Sequence, residues 1–170
     1  FIHKVLEFSE NNNLLTQTTL SIEEHLFLTD HAIDGVPYHP GVMALEMFAE
    51  NALLLNPMTC VAGFEDVKFG LPIKLLKSEM KVRVSSVVEK TEGDMTWVRC
   101  SLVSDLMNSK GEVFGEREHH HALVRLVNFS DDLRPFLQNE VDSMPQIGVP
   151  PSGDVEILPS FIYQRYFHGP

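Results

Sequence analysis

The stretch 30-DHAIDGVPYHPGVMALEMFAEN-51 sets a polar, bendable loop directly before an apolar helix. Gly35 and Pro37 let the loop turn tightly. Pro40 disfavours helical geometry at His39, which keeps the chain extended until the helix begins. From Pro40 to about Asn56 the apolar residues lie nearly all round, with Glu46, Glu50 and Asn51 as the polar exceptions. So little polar face predicts a buried helix. A core-filling segment has no use for His31, Asp34 and His39 so close together. A surface loop has no use for Val42, Met43, Leu45, Met47 and Phe48 behind it.

Outward from this helix the pattern changes period. The first twenty-odd residues read as two strands around the polar turn 10-ENNN-13, and 14-LLTQTTLSI-22 is rich in Thr and branched residues, as strands prefer. After Pro57, strands are predicted at 60-CVAGFEDVKF-69, 79-EMKVRVSSVVE-89, 95-MTWVRCSLVS-104 and 113-VFGEREHHHALVRLV-127. Met80, Val82 and Val84 alternate with Lys81, Arg83 and Ser85, the period-two pattern of a half-buried strand. The separators KTEGD and MNSKGE are polar and carry Gly, as hairpin loops do. One long helix without a polar face is covered only if an antiparallel sheet curls around it. The fold class is therefore α+β, and strand, strand, helix, then four strands is the order of the hotdog fold. One such unit leaves sheet edge and helix open, so pairing with a second is expected.

A chain of 170 residues suits one domain with a real core. The net charge of −11 argues against a nucleic-acid partner and against docking on an anionic membrane. The apolar runs stop short of a bilayer span. Cys60 and Cys100 lack CxxC spacing and sit in apolar strands, so buried unpaired thiols and a reducing, cytoplasmic compartment are expected. From Phe129 the composition shifts: six of the ten prolines lie in the last 42 residues, which read as an extended linker. The opening FIHKV and the closing YFHGP suggest a piece of something longer.

His31-Ala-Ile-Asp-Gly35-Val-Pro-Tyr-His-Pro40 resembles the HxxxGxxxxP motif of the dehydratase domains in polyketide and polyunsaturated-fatty-acid synthases. The segment 40-PGVMALEMFAE-50 is similar to the start of the central helix in the stand-alone 3-hydroxyacyl-carrier-protein dehydratases. The closing YFHGP resembles the glycine-proline motif near the start of the second hotdog in double-hotdog synthase domains. The resemblance implies a hotdog domain over residues 1–128, a Pro-rich linker over 129–160 and the truncated start of a second hotdog over 161–170. It implies a dehydratase that removes water from a 3-hydroxyacyl thioester, leaving a trans-2-enoyl thioester. The substrate would ride on the phosphopantetheine of an acyl carrier protein, with no dissociable cofactor. The partners implied are that carrier and a second hotdog, in the same chain or in a homodimer. Glu46 matches the helix carboxylate that completes the partner subunit's site in the stand-alone enzymes; in the double-hotdog relatives the acid is an aspartate of the second hotdog. Glu50 departs from the stand-alone pattern, where an amide is usual.

The residues themselves suit that chemistry. Histidine, with an unperturbed pKa of about 6.5, is mostly neutral yet basic at working pH, which makes His31 the candidate base. Gly41 has no Cβ, so an acyl group can approach the backbone closely. The unpaired N–H groups of the first helical turn carry roughly half a positive charge, and a comparable oxyanion donor is worth about 3 kcal/mol of barrier. Gly35, Pro40 and Gly41 are thus the expected substrate-binding positions. Glu46, set in an apolar helix, is expected to be buried with a raised pKa, as a general acid needs. Asp30 and Asp34 read as turn formers and Trp97 as core. His119 and His121 share a strand face without Cys or carboxylate at metal spacing, so a solvated face is expected and no metal. Lys68, Lys74, Lys77, Lys81 and Arg83 form a basic strip on an acidic chain, either solvated or a docking surface for an acidic carrier. Two other functions use the same fold: a non-catalytic scaffold or acyl-binding hotdog, and an acyl-thioesterase.

Overall fold

A computed structural model describes residues 1–9 and 12–128. The elements are β1 (Lys4–Ser9), β2 (Asn13–Ser21), α1 (Phe27–Asp30), β3 (Ala32–Ile33), β4 (Val36–His39), α2 (Gly41–Leu55), β5 (Thr59–Phe69), β6 (Ile73–Lys74), β7 (Glu79–Glu92), β8 (Met95–Met107) and β9 (Val113–Asn128). The expected linker and the start of a second hotdog fall on residues 129–170, outside the described residues. No described helix is long and apolar enough to cross a membrane.

Six strands form one antiparallel sheet in the order β1-β2-β7-β8-β9-β5, curled around α2 as a hotdog. The period-two residues dictate which face turns inward. Val82, Val84 and Ser86 of β7 are buried while Lys81, Ser85 and Val87 are exposed. In β2 the inward set is Leu14, Thr16, Thr18 and Leu20. The core joins Phe48 and Met47 of α2 to Leu20, Val84, Val98, Cys100, Leu102, Val124 and Leu126.

α2, expected to be buried but left partly open by a single hotdog, is buried on one side only within this unit. Ala44, Met47, Phe48, Asn51 and Ala52 face the sheet, the spacing of one helical face. Val42 and Leu54 stay 65% and 43% exposed. A single six-stranded sheet reaches no further around the helix. Asn51 is the polar residue that does enter the core. There it accepts from the Thr16 hydroxyl at 2.8 Å and donates to the Met47 carbonyl at 2.8 Å, so no buried amide is left unpaired.

A second, three-stranded sheet, β3-β4-β6, sits where the sequence suggested a plain loop. Ile33 pairs with Val36 across a two-residue turn in which Asp34 and Gly35 both have positive φ, 51° and 76°. Asp-Gly is the pair that such a hairpin turn favours. β6 then ties the loop down: Tyr38 pairs with Lys74, His39 with Ile73, and the Leu75 N–H donates to the Pro37 carbonyl at 2.9 Å.

Candidate active site

His31 lies between α1 and β3, half-buried, with its backbone held at both ends. Its N–H donates to the Phe27 carbonyl at 3.1 Å and its carbonyl accepts from the Tyr38 N–H at 2.9 Å. The ring is fixed by a third bond, 2.8 Å between Nδ1 and the Tyr38 carbonyl. A carbonyl can only accept, so Nδ1 carries the proton and Nε2 of the neutral ring keeps the basic lone pair. The hairpin turn at Asp34–Gly35 brings Tyr38 back to meet His31. Gly35 therefore acts through the turn; a Cβ built there meets nothing within 4 Å.

Pro40, with φ −64° and ψ 137°, ends the extended segment and starts α2. Its carbonyl accepts from the Met43 N–H at 3.0 Å, while no side chain caps the helix and no acidic residue lies in its first turn. The amide groups at Gly41 thus keep their positive end of the helix dipole uncompensated by side chains. The space beside Gly41 is not open, however. A Cβ there would stand 2.7 Å from Cδ1 of Phe69, so an aromatic ring already occupies the approach expected for an acyl group.

Glu46 is not buried. At 3.6 residues per turn it lies opposite the sheet-facing residues of α2, and it is exposed. With Glu50, His25, Leu26 and Phe27 it lines an open depression of about 530 Å³ in which His31 takes no part. Glu50 Oε2 lies 2.7 Å from the Phe1 nitrogen.

The sequence singles out His39 and the 119–121 histidines without showing that His39, His119 and His120 are buried. His39 and His120 are each 4% exposed, and neither nitrogen of either ring has a hydrogen-bond partner among the described residues. Burial, reinforced by neighbouring His120, His25, His31 and His119, pushes the His39 pKa down to about 3, so the ring is neutral. Phe1 and Phe27 meet it edge-on, with centroids 6.3 and 6.1 Å away. His119, also lowered by burial, bonds Ser104 Oγ through Nε2 at 2.8 Å and the Leu71 carbonyl through Nδ1 at 2.9 Å.

Of the solvated face expected for His119 and His121, His119 is instead buried, with His120 beside it, while His121 is half-buried and Glu118 exposed, for a local reason. Glu118 pairs with Val103 and His120 with the adjacent Leu102, which leaves His119 as the extra residue of a β-bulge. The bulge breaks alternation and turns two successive rings inward. Among the described residues, no three His, Cys, Asp or Glu side chains converge as a metal site would require.

Both cysteines are unpaired. Cys100 is buried, which pushes its thiol up to about 12 and leaves it inert, whereas Cys60 is only half-buried. Trp97 is 9% exposed, beneath the Lys90 ammonium at 4.2 Å. The basic strip does not stay together in space. Arg83 pairs with Asp105 at 2.5 Å and Glu116 at 2.7 Å, and Lys68 lies near Asp66 and Glu118. Lys74 alone reaches the His31 loop, 5.3 Å over the Tyr38 ring.

Comparison with known proteins gives this geometry relatives. Residues 1–104 match the family described as the polyketide synthase dehydratase domain. No curated protein sequence matches the chain. Among solved structures, the dehydratase domain from the CurF module of curacin polyketide synthase superposes with a TM-score of 0.60 at 12% identity, over 81% of this chain and 49% of that one. A trans-AT polyketide synthase dehydratase domain from Brevibacillus brevis gives 0.58 at 15% identity, over 81% and 50%. An uncharacterised protein from Pyrococcus horikoshii gives 0.54 at 13% identity, over 78% and 86%. At such identities the likeness is one of fold. The chain spans about half the length of the two dehydratase domains.

Proposed function

Because the chain belongs to the polyketide synthase dehydratase domain family, we propose that it supplies the base-bearing half of a dehydratase acting on a 3-hydroxyacyl thioester. The observation that carries this reading is the His31 Nδ1 bond to the Tyr38 carbonyl, which leaves Nε2 as the basic atom on a loop leading straight into an uncapped helix. His31 Nε2 takes the proton from the substrate's α-carbon. The electron pair of that C–H bond forms the C=C bond, the β-carbon–oxygen bond breaks, and the hydroxyl leaves as water after protonation. While the proton is being lost, charge builds on the thioester oxygen, and the Gly41 N–H is suited to receive it.

The acid that protonates the hydroxyl comes from outside this hotdog's own site. Glu46 is exposed on the side of α2 away from the sheet, where it is open to a second copy, and a carboxylate of another hotdog fills the same role. The substrate's pantetheine arm, carried by an acyl carrier protein, lets the reaction proceed with no dissociable cofactor.

The test is mass spectrometry of a 3-hydroxyacyl carrier protein incubated with the full chain and, separately, with its His31→Ala variant. Loss of one water with the parent and none with the folded variant supports the proposal. Release of free acid would select a thioesterase instead. A folded His31→Ala variant that works unchanged in the intact synthase would select a scaffold.

A further inference from the structure

Phe69 ends the edge strand β5, and among the described residues two neighbours meet its ring. One is Gly41, where a Cβ would lie 2.7, 2.9 and 3.2 Å from Cδ1, Cε1 and Cγ of the ring. The other is His120, the residue paired with Phe69 across β5 and β9, which meets it edge-to-face with centroids 5.7 Å apart. The residue as a whole is 51% exposed. The backbone beneath is fixed. Gly70 N–H donates to the His119 carbonyl at 2.8 Å, and a Cβ at Gly70 would stand 2.6 Å from that oxygen, so the strand end fits tightly against the bulge. The ring of an exposed residue on a rigid mount can turn about its own side-chain bonds without moving the strand.

We infer that Phe69 is a specificity-determining residue, whose ring closes the space beside Gly41 and so selects against acyl groups branched at the α-carbon. This rests on the dehydratase reading above. If a thioester oxygen is bound by the Gly41 N–H, the carbonyl carbon is one bond away and the α-carbon two. A methyl branch there is the first substrate group to meet a ring already in contact with Gly41. An unbranched α-carbon presents only hydrogens. A single methyl group in an apolar slot is typically worth tenfold or more in discrimination.

The experiment titrates the full chain and its Phe69→Ala, Phe69→Leu and Phe69→Trp variants with two probes, the pantetheine thioesters of 3-hydroxybutyrate and 2-methyl-3-hydroxybutyrate. Every protein in the series, the parent included, also carries His31→Ala, so that the base is absent and the probes are not dehydrated; calorimetry then gives Kd for each, and thermal melting checks that each variant is folded. The ratio of Kd for the branched probe to that for the unbranched one should fall about tenfold in Phe69→Ala. It should fall less in Phe69→Leu, which retains apolar cover over the core, and rise in Phe69→Trp. A ratio unchanged across the folded variants, with both probes bound by the parent, overturns the role of Phe69 and leaves the dehydratase reading standing. Failure of the parent and every variant to bind either probe removes the dehydratase reading and this inference together.

Discussion

A methyl group added at Gly41 would press into the Phe69 ring, whereas the same change at Gly35 meets open space, so the two glycines fail for different reasons. Gly41→Ala should lower kcat/KM for thioester dehydration by roughly tenfold, the effect of about 1.4 kcal/mol at a displaced donor. Adding Phe69→Ala should recover much of that loss, and a double-mutant cycle on the four proteins checks it. Gly35→Ala should instead destabilise the fold by about 1–2 kcal/mol, because φ of 76° is left-handed, as denaturant unfolding would show. His39 makes a prediction of another kind. Its folded pKa of about 3 lies below the ordinary 6.5, so the unfolded chain binds its proton first as pH falls. Stability is full above pH 6.5 and is lost progressively toward pH 3, at up to about 1.4 kcal/mol per pH unit for this one group. His119 and His120, lowered by burial as well, act in the same direction. Replacing His39 with Leu should flatten the fall in Tm between pH 7 and pH 5.

At the level of elements, α2 offers a contrast between its two faces. Phe48 is fully buried, and Phe48→Ala should cost about 3–5 kcal/mol; Val42 is 65% exposed, and Val42→Ser should change stability by less than about 0.5 kcal/mol in this unit. Urea unfolding of the two variants measures both. The long strands were legible because each repeats its alternation several times, as Met80, Val82 and Val84 do, and the polar Gly-bearing loops separate them. The short strands β3 and β6, of two residues each, hold too few positions for any period to show. The bulge at His119 was hidden for a different reason. In 118-EHHHA-122 three identical side chains carry no contrast between inside and outside, so only pairing with β8 reveals which rings turn inward. His31 could be singled out because a motif surrounds it. Glu46 could be named but not placed, since a helix rich in apolar residues does not say which flank its own sheet will reach. Phe69 was invisible as a site residue because its contact with Gly41 joins positions 28 residues apart.

For the whole molecule, the unequal spread of charge bears on how a carrier would approach. The chain carries −11 overall, yet Lys74, which reaches the His31 loop at Tyr38, and Lys77, three residues on, are both exposed, with the apolar Leu71 and Leu76 exposed in the same segment. Arg83, by contrast, is engaged by Asp105 and Glu116 and has little field left to offer. An acidic carrier bearing a phosphodiester arm would be repelled by most of this surface and drawn to the segment that β6 anchors against Tyr38. The long-range part of that attraction acts on encounter, so it should appear in KM and in salt dependence while the bond-breaking steps stay as they are. Lys74→Glu combined with Lys77→Glu should therefore reduce kcat/KM for the carrier-bound 3-hydroxyacyl substrate by about tenfold or more at low salt. It should leave a small pantetheine thioester nearly unaffected, and the deficit should shrink as ionic strength rises. Equal loss on both substrates would place Lys74 in the support of the His31 loop, through its contact with Tyr38, and would exclude carrier docking at this segment.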